Sequence, residues 1–207
     1  MKVLLINGSP NARGCTFTAL CEVARQLEKE GISTELIQIG TEPVRGCVDC
    51  GGCTDTGCCV FDDGVNIAAQ KLCEADGLVV GAPVYYASPN GSVLAFLDRM
   101  FSSAGRSCFM HKPAAAVVSA RRAGTTASLD VLNKYFSLSG MPIASSQYWN
   151  MVHGNTPNEV AQDIEGLQIM RTLGSNMAWM IKCIAAGKDA GVPAPLEETR
   201  QTTSFIR

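Results

Sequence analysis

The sequence lacks the features that mark membrane, secreted and nucleic-acid-binding proteins. None of its apolar runs approaches the roughly 20 residues that cross a membrane. The opening stretch MKVLLINGSP has too short an apolar part for a signal peptide and no small-residue cleavage site. The 17 basic and 19 acidic residues nearly cancel, and no basic run is present. We therefore expect a cytoplasmic protein that binds neither membranes nor nucleic acid.

Histidine is also scarce, and the residue patterns of acid–base catalysis are missing. The chain has two histidines, His111 and His153, and neither belongs to a recognisable catalytic triad. We predict a structural role for His111 and a packing or interface role for His153. No pair of carboxylates suggests a general acid and base. We therefore assign no catalytic side chain, which is compatible with chemistry carried by a cofactor.

Cysteine, in contrast, is concentrated in one short stretch. GCVDCGGCTDTGCC, residues 46–59, holds five of the ten cysteines. Cys47, Cys50 and Cys53 are each separated by two residues, and a fourth thiol follows at Cys58 or Cys59. Iron–sulfur clusters use closely spaced triplets of this kind, whereas structural zinc generally takes two separated CxxC pairs. The loop is either a ligand set for a cluster or a structural loop without metal.

The remaining cysteines lie in segments that are expected to be helical or buried. Because thiols stay reduced in the cytoplasm, a disulfide framework is not expected. The prediction is that these side chains behave as inert small hydrophobic groups. They include Cys21, Cys73, Cys108 and Cys183.

Apolar patterning predicts alternating strands and helices along the whole chain. Short apolar runs predict strands at 2–6, 33–39, 78–80, 114–119 and 143–149. Helical spacing follows each strand, with a long helical region over about 158–186. Five consecutive βα units predict a parallel sheet with helices on both faces. We expect a single domain over 1–207, with a cysteine-rich insertion at 46–63 and an irregular tail at 188–207.

The loops after the first, third and fourth strands are candidate ligand contacts, because ligands bind at the carboxyl ends of parallel strands. GSPNARGCT offers hydroxyls, one arginine and a helix start, which would suit a phosphate. GAPVYYASPNG offers two adjacent tyrosines that could pack a flat ring. SARRAGTT offers small residues and two arginines for a second anion. Each of these loops could also be an ordinary connection.

Three stretches in this order carry a family resemblance. NGSPNARGCT, GAPVYYASPNGSVLAFLDRM and SARRAGTT resemble the flavodoxin-like NAD(P)H-dependent FMN reductase family. The cysteine cluster between the first two makes the chain similar to the iron–sulfur flavoprotein branch. The resemblance implies an α/β fold, a flavodoxin-like doubly wound five-stranded parallel sheet of order 2-1-3-4-5. It also implies bound FMN and a homodimer or homotetramer.

The resemblance also implies binding roles for particular residues. The FMN phosphate would be held by Ser9, Asn11, Arg13, Cys15 and Thr16. The isoalloxazine ring would be lined by Pro83, Val84, Tyr85 and Tyr86. Its other side would be closed by Ser119, Arg121 and Gly124. A 4Fe–4S cluster, if the loop holds one, would be bound by Cys47, Cys50, Cys53 and Cys59, with Cys58 as the alternative fourth ligand.

The expected activity follows from this set of cofactors. NAD(P)H would pass a hydride to FMN, and electrons would then reach a small acceptor or a ferredoxin-like protein, through the cluster if it is present. One alternative is a non-enzymatic flavodoxin-type electron carrier, against which the formal charge of −2 argues. The other alternative is a metal-free quinone or azo-compound reductase, in which the cysteine loop is structural.

Overall fold

Five parallel strands and one short hairpin strand form the sheet at the centre of the protein. The structure, a computed structural model, describes residues 1–199, 201–203 and 205. The parallel strands follow the order β2-β1-β3-β5-β6, and β4 pairs antiparallel with β3. This order confirms the predicted doubly wound sheet, because without the hairpin strand it reads 2-1-3-4-5. The strands are β1 Lys2–Asn7, β2 Ser33–Gln38, β3 Gly77–Tyr85, β4 Ser88–Pro89, β5 Ala114–Ala120 and β6 Met151–His153.

Helices connect the parallel strands and cover the sheet. They are α1 Cys15–Lys29, α2 Cys53–Thr56, α3 Gly64–Glu74, α4 Gly91–Ser103, α5 Thr125–Leu138, α6 Pro157–Gln162 and α7 Ile164–Asp189, with a 3₁₀ turn at Arg106–Cys108. Across the described ranges, none of these helices is both long and apolar enough to cross a membrane. Helix α7 includes residues 188 and 189 of the predicted tail, residues 192–199, 201–203 and 205 form no regular element, and residues 200, 204, 206 and 207 lie outside the described residues.

The central strands are apolar on both faces because helices cover both. Leu4 and Ile6 of β1 pack into one cluster, which includes the buried side chains of α3, α4 and α5. Val3 and Leu5 of the same strand point to the opposite cluster, which includes those of α1 and α7. All seven residues of β5 are buried. Continuous apolar runs are typical of parallel strands for this reason.

The last parallel strand differs from the predicted one. The prediction of a strand over 143–149 is wrong: Ile143 makes one isolated bridge with Ala114, and the strand lies at Met151–His153. Tyr148 and Trp149 are more than half exposed, so their apolar character does not reflect a buried strand. The long helical region is interrupted at Asp163, whose side chain accepts a hydrogen bond from the Gly166 N–H and caps α7.

Two cysteines that were predicted to be inert form a disulfide. Cys73 at the end of α3 is bonded to Cys108 in the 3₁₀ turn, and the two lie 35 positions apart in the sequence. The prediction of reduced, inert thiols is therefore wrong for this pair. The other two members of that set are free, Cys21 partly buried and Cys183 exposed.

Candidate functional site

The loops after β1, β3 and β5 meet at one edge of the sheet, because the three strands are adjacent and parallel. Asn7 aligns with Gly81, and Pro83 aligns with Ser119. The Gly8 N–H donates to the Gly81 carbonyl at 2.8 Å. A Cβ on Gly8 would lie 2.8 Å from that same oxygen, so only glycine permits this approach. The meeting of the loops agrees with their selection from the sequence.

The first loop ends at a helix start that has no side-chain cap. The Asn11 N–H donates to the Ser9 hydroxyl at 3.1 Å, and the Gly14 N–H donates to the Asn11 carbonyl at 3.1 Å. Gly14 is the N-cap of α1 and supplies no side-chain cap. The first amides of a helix have no intrahelical acceptor, so they can bind an anion. Arg13 is exposed beside them and can add its charge.

Three predicted phosphate or ring contacts are engaged within the protein. The Thr16 and Ser119 hydroxyls share a hydrogen bond of 2.8 Å and are both buried, so they join α1 to the end of β5. The Cys15 thiol donates to the Gly154 carbonyl at 3.6 Å. Burial raises the pKa of this thiol above its ordinary value, which keeps it protonated as a donor. The roles of these side chains toward a cofactor stay predictions.

The third loop is a tight hairpin with an unusual backbone. Tyr86 and Ala87 have φ of 51° and 59°, in the left-handed region that non-glycine residues rarely adopt. Two such residues at the centre of a two-residue turn produce the twist that a hairpin needs. Each costs about 1–3 kcal/mol, and such strain clusters at ligand sites. Tyr85 is 48% exposed and Tyr86 fully exposed, so both rings are free to contact a ligand.

The fourth loop packs against this hairpin through a glycine. Gly124 has φ of 93°, and a Cβ there would lie 2.7 Å from Ala87 Cα and 2.9 Å from Val84 Cγ1. The backbone of the fourth loop therefore touches the hairpin directly. Arg121 in this loop is exposed, and Pro83 on the facing strand is half-buried.

Asn90 joins two of the loops and was not identified from the sequence. Its side-chain amide donates to the Gly8 carbonyl at 2.8 Å, and its backbone N–H donates to the Pro83 carbonyl at 3.2 Å. Its Oδ1 is buried and has no hydrogen-bond partner within the described chain. The sequence signal that could have identified Asn90 is its position directly before α4, since asparagine is favoured at helix starts. The orphaned oxygen, the close glycine and the uncapped helix fit a polar cofactor with a phosphate.

Four of the five clustered thiols line one cavity of about 240 Å³ between the loop and α4. They are Cys47, Cys50, Cys53 and Cys59. Cys58 is exposed and is not among the lining residues. Ser103 also lines the cavity, and its buried hydroxyl has no hydrogen-bond partner among the residues that the structure describes. This donor set fits a sulfur-rich group, although no three metal-binding side chains of the described residues converge as they would on one metal ion.

An arginine that was not singled out from the sequence lies at the back of this cavity. The Arg99 side chain is 1% exposed and forms a two-pronged ion pair with Asp63, at 2.6 and 2.9 Å. Its hydrogen bonds to Asp63 lower the pKa of that carboxyl, and the pKa of the guanidinium is raised in turn. Asp63 also caps α3 by accepting the Val65 N–H.

Neither histidine joins these sites. The backbone N–H of the exposed His153 donates to Asp163 at 2.7 Å. His111 has φ of 65° and follows the 3₁₀ turn. Trp149 is 58% exposed and packs edge-on against Tyr148.

Comparison with known proteins adds a family and several relatives. The sequence profile of the NADPH-dependent FMN reductase family matches residues 1–156. An iron–sulfur flavoprotein of Methanocaldococcus jannaschii is 29% identical over 193 residues, which cover 89% of this chain and 99% of that protein. An iron–sulfur flavoprotein of Methanosarcina thermophila is 26% identical over 193 residues, covering 91% and 100%.

Solved structures are similar in fold. A flavodoxin from the domain Archaea superposes with a TM-score of 0.59 at 16% identity, covering 88% of this chain and 99% of that one. The flavoenzyme NAD(P)H:(acceptor) oxidoreductase of Paracoccus denitrificans superposes with a TM-score of 0.64 at 15% identity, covering 88% and 97%. At such identities the likeness establishes a flavodoxin-like fold.

Proposed function

Because the chain belongs to the NADPH-dependent FMN reductase family, we propose that it is an FMN-dependent oxidoreductase that takes hydride from NAD(P)H. Electrons then pass to a small acceptor or to a ferredoxin-like redox protein. The observation that carries this proposal is the meeting of the three loops at the carboxyl edge of the sheet, where doubly wound proteins bind their ligands.

The first loop binds the phosphate in this proposal. The free amides at the start of α1 and the exposed Arg13 supply hydrogen bonds and positive charge. Ser9 and Asn11 shape the loop, since the Ser9 hydroxyl accepts the Asn11 N–H. The Thr16–Ser119 hydrogen bond holds α1 against β5, so the phosphate end and the ring end of the site keep a fixed separation.

The hairpin and the fourth loop hold the ring. Tyr85 and Tyr86 present exposed aromatic faces on a turn that is fixed by its contact with Gly124. When bound, FMN accepts two electrons as a hydride and can return them one at a time. Hydride transfer needs no protein acid or base, so the protein's contribution is to bind, orient and exclude water. Homodimer or homotetramer formation stays a prediction.

The cysteine cavity holds a 4Fe–4S cluster in the same proposal. Four thiols and an orphaned hydroxyl line one small cavity, and the relatives named above are iron–sulfur flavoproteins. Each iron of a cluster takes one thiolate, so its ligands are spread around the cluster rather than directed at one point. When bound, the cluster would carry single electrons. The binding residues are Cys47, Cys50, Cys53 and Cys59.

Rapid mixing of the FMN-loaded protein with NADPH or NADH, without oxygen or any partner protein, tests the proposed activity. We expect the flavin absorbance to bleach within seconds, because a reductase accepts hydride directly. A flavin that dithionite bleaches but neither nicotinamide does would contradict the reductase and favour the electron carrier.

A metal-free quinone or azo-compound reductase is the second candidate, and it is favoured by the contacts that two of the thiols already make within the protein, Cys53 with the Ser102 carbonyl and Cys59 with Arg99. In that case the double change Cys50→Ser and Cys53→Ser should leave quinone turnover nearly intact. The proposed cluster enzyme instead loses bound iron in this variant. The exposed Cys183→Ser serves as the control, since it lies on α7 away from the loop.

A further inference from the structure

Every N–H group of the buried Arg99 guanidinium has an acceptor within or directly beside the cysteine-rich insertion. Its guanidinium has five N–H groups, and five hydrogen-bond acceptors surround it. Nη1 donates to Asp63 at 2.6 Å and to the Arg45 carbonyl at 3.4 Å. Nη2 donates to Asp63 at 2.9 Å and to the Phe61 carbonyl at 3.2 Å. Nε donates to the Cys59 sulfur at 3.2 Å.

Asp63 and Cys59 bind different nitrogens of the Arg99 guanidinium. Asp63 contacts the two terminal nitrogens, whereas the remaining nitrogen, Nε, faces Cys59. The ion pair stabilises the buried guanidinium, and buried arginine without such a partner would be costly. The guanidinium carbons of Arg99 and the exposed Arg45 lie 5.2 and 4.8 Å from the centre of the Phe61 ring. The Cys59 thiol therefore accepts a hydrogen bond from a positively charged guanidinium that Asp63 holds in place.

Cys58 and Cys59 are adjacent in sequence but hydrogen-bond to different parts of the protein. The Cys59 N–H donates to Asn66 Oδ1 and its carbonyl accepts from Asn66 Nδ2, both at 2.9 Å, so α3 fixes its backbone while α4 fixes its thiol. Among the described residues, Cys58 hydrogen-bonds only with Thr56 of its own loop, through its backbone, and its side chain is exposed. Of the two, Cys59 alone is fixed to the framework and lines the cavity.

Helix α4 also holds a second thiol of the cavity. The Cys53 sulfur donates to the Ser102 carbonyl at 3.6 Å. Ser102 follows Arg99 by three positions, so both groups lie on one face of α4. Two of the four thiols that line the cavity therefore hydrogen-bond to α4: Cys53 at the start of α2, and Cys59 in the turn after it.

We propose that Arg99 is a positioning residue for the cysteine site, which makes Cys59 rather than Cys58 the fourth thiol and raises the reduction potential of a cluster bound there. This inference rests on the proposed cluster. Reduction adds one negative charge to a cluster, and hydrogen bonds to its sulfurs and nearby positive charge stabilise that state. The Nε–H group of Arg99 supplies both at Cys59.

Three variants at two oppositely charged neighbouring residues, Arg99 and Asp63, test the proposal in the intact holoprotein. Arg99→Gln removes the charge and the Nε donor, Arg99→Lys retains the charge without the Nε donor, and Asp63→Asn removes the opposing charge. Asparagine at position 63 can still cap α3. The proteins are purified without oxygen, assayed for iron, and titrated while the low-temperature EPR signal of the reduced cluster is followed.

We expect the cluster potential to become more negative in Arg99→Gln, to shift less in Arg99→Lys, and to become more positive in Asp63→Asn. A structural role alone would not produce shifts of opposite sign. Unchanged potentials, or shifts of one sign in all variants, would overturn the inference. If the Arg99 variants do not fold, the Asp63→Asn shift decides it. A wild-type protein without iron would instead remove the proposed cluster, and this inference with it.

Discussion

Gly124 occupies a backbone position that other residues adopt only with strain. Its φ of 93° lies in the left-handed region, and its missing Cβ leaves room for Ala87 Cα at the hairpin. The contact between Gly124 and Ala87 fixes the position of the hairpin relative to the fourth loop. The proposed ring site therefore depends on the absence of a side chain at this residue.

Gly124→Ala should weaken FMN binding and destabilise the protein by about 1–3 kcal/mol, from left-handed strain together with the displaced hairpin. Fluorescence titration with FMN and urea denaturation measure the two effects. Gly105→Ala is the matched control, because its φ is −63° and its Cβ would meet only Ser107 Oγ at 3.7 Å. Equal FMN affinity in both variants would show that the hairpin contact does not form the ring site.

Cys59→Ser should abolish most of the bound iron, whereas Cys58→Ser should retain it. The reason is that the Cys59 thiol lines the cavity and the Cys58 thiol points outward. Iron and acid-labile sulfide per chain, measured after purification without oxygen, distinguish the two. Iron loss in Cys58→Ser with retention in Cys59→Ser would reverse the assignment of the fourth ligand.

At the scale of residues, the sequence could identify positions but not their distant partners. Thr16 was recognisable as a hydroxyl at a helix start, yet its hydrogen bond to Ser119 joins residues 103 positions apart. Arg99 lay inside a recognised stretch, and its contact with Cys59 spans 40 positions. Such contacts depend on the packing of helices against the sheet, which local patterns do not specify.

Among the elements, α3 is linked at its start to α4 and at its end to the 3₁₀ turn that follows α4. Asp63 at its start pairs with Arg99, and Cys73 at its end is bonded to Cys108. The Lys112 ammonium adds hydrogen bonds of 2.8 Å to the carbonyls of Leu72 and Cys73. Helix α3, which follows the cysteine loop, is therefore held in place at both of its ends.

Reducing the Cys73–Cys108 bond, or replacing both with serine, should lower the free energy of unfolding by about 2–4 kcal/mol, because the bond closes a loop and restricts the unfolded chain. Urea denaturation with and without reductant, at one fixed FMN concentration, measures the loss. Cys183→Ser controls for replacement of a free thiol. If reductant does not alter the unfolding of the wild-type protein, the two sulfurs are not bonded in solution.

Elements with continuous buried apolar runs were predictable, and the sheet margin was not. The interior strands β1 and β5 were located within one residue, because helices on both faces require apolar residues throughout. The interior strand β3 was predicted over 78–80 only, and this prediction is too short: the strand covers Gly77–Tyr85, and its second half contains Gly81 and Pro83, which are typical of turns. Over 143–149 the apolar residues are largely on the surface, with Ile143 41% and Trp149 58% exposed. The edge strand that replaces this segment has three residues, too few for a periodic signal.

At the scale of the whole molecule, the candidate flavin site follows from topology. Adjacent parallel strands bring the loops after β1, β3 and β5 to one edge, however far apart they are in sequence. This is why the order of the loops in the sequence was enough to predict their meeting. The cysteine cavity is different, since it is formed by an insertion whose shape depends on α3, α4 and the ion pair between the buried Arg99 and the partly exposed Asp63.

An absorbance spectrum with flavin and iron assays, on protein purified without oxygen, tests most directly whether this chain is a flavin enzyme. We predict flavin bands with a broad shoulder near roughly 400 nm, and about one FMN and about four irons per chain. Flavin bands without iron would contradict the cluster and leave a metal-free FMN reductase. A colourless protein that also fails to take up added FMN would contradict the central claim that this chain is a flavin enzyme.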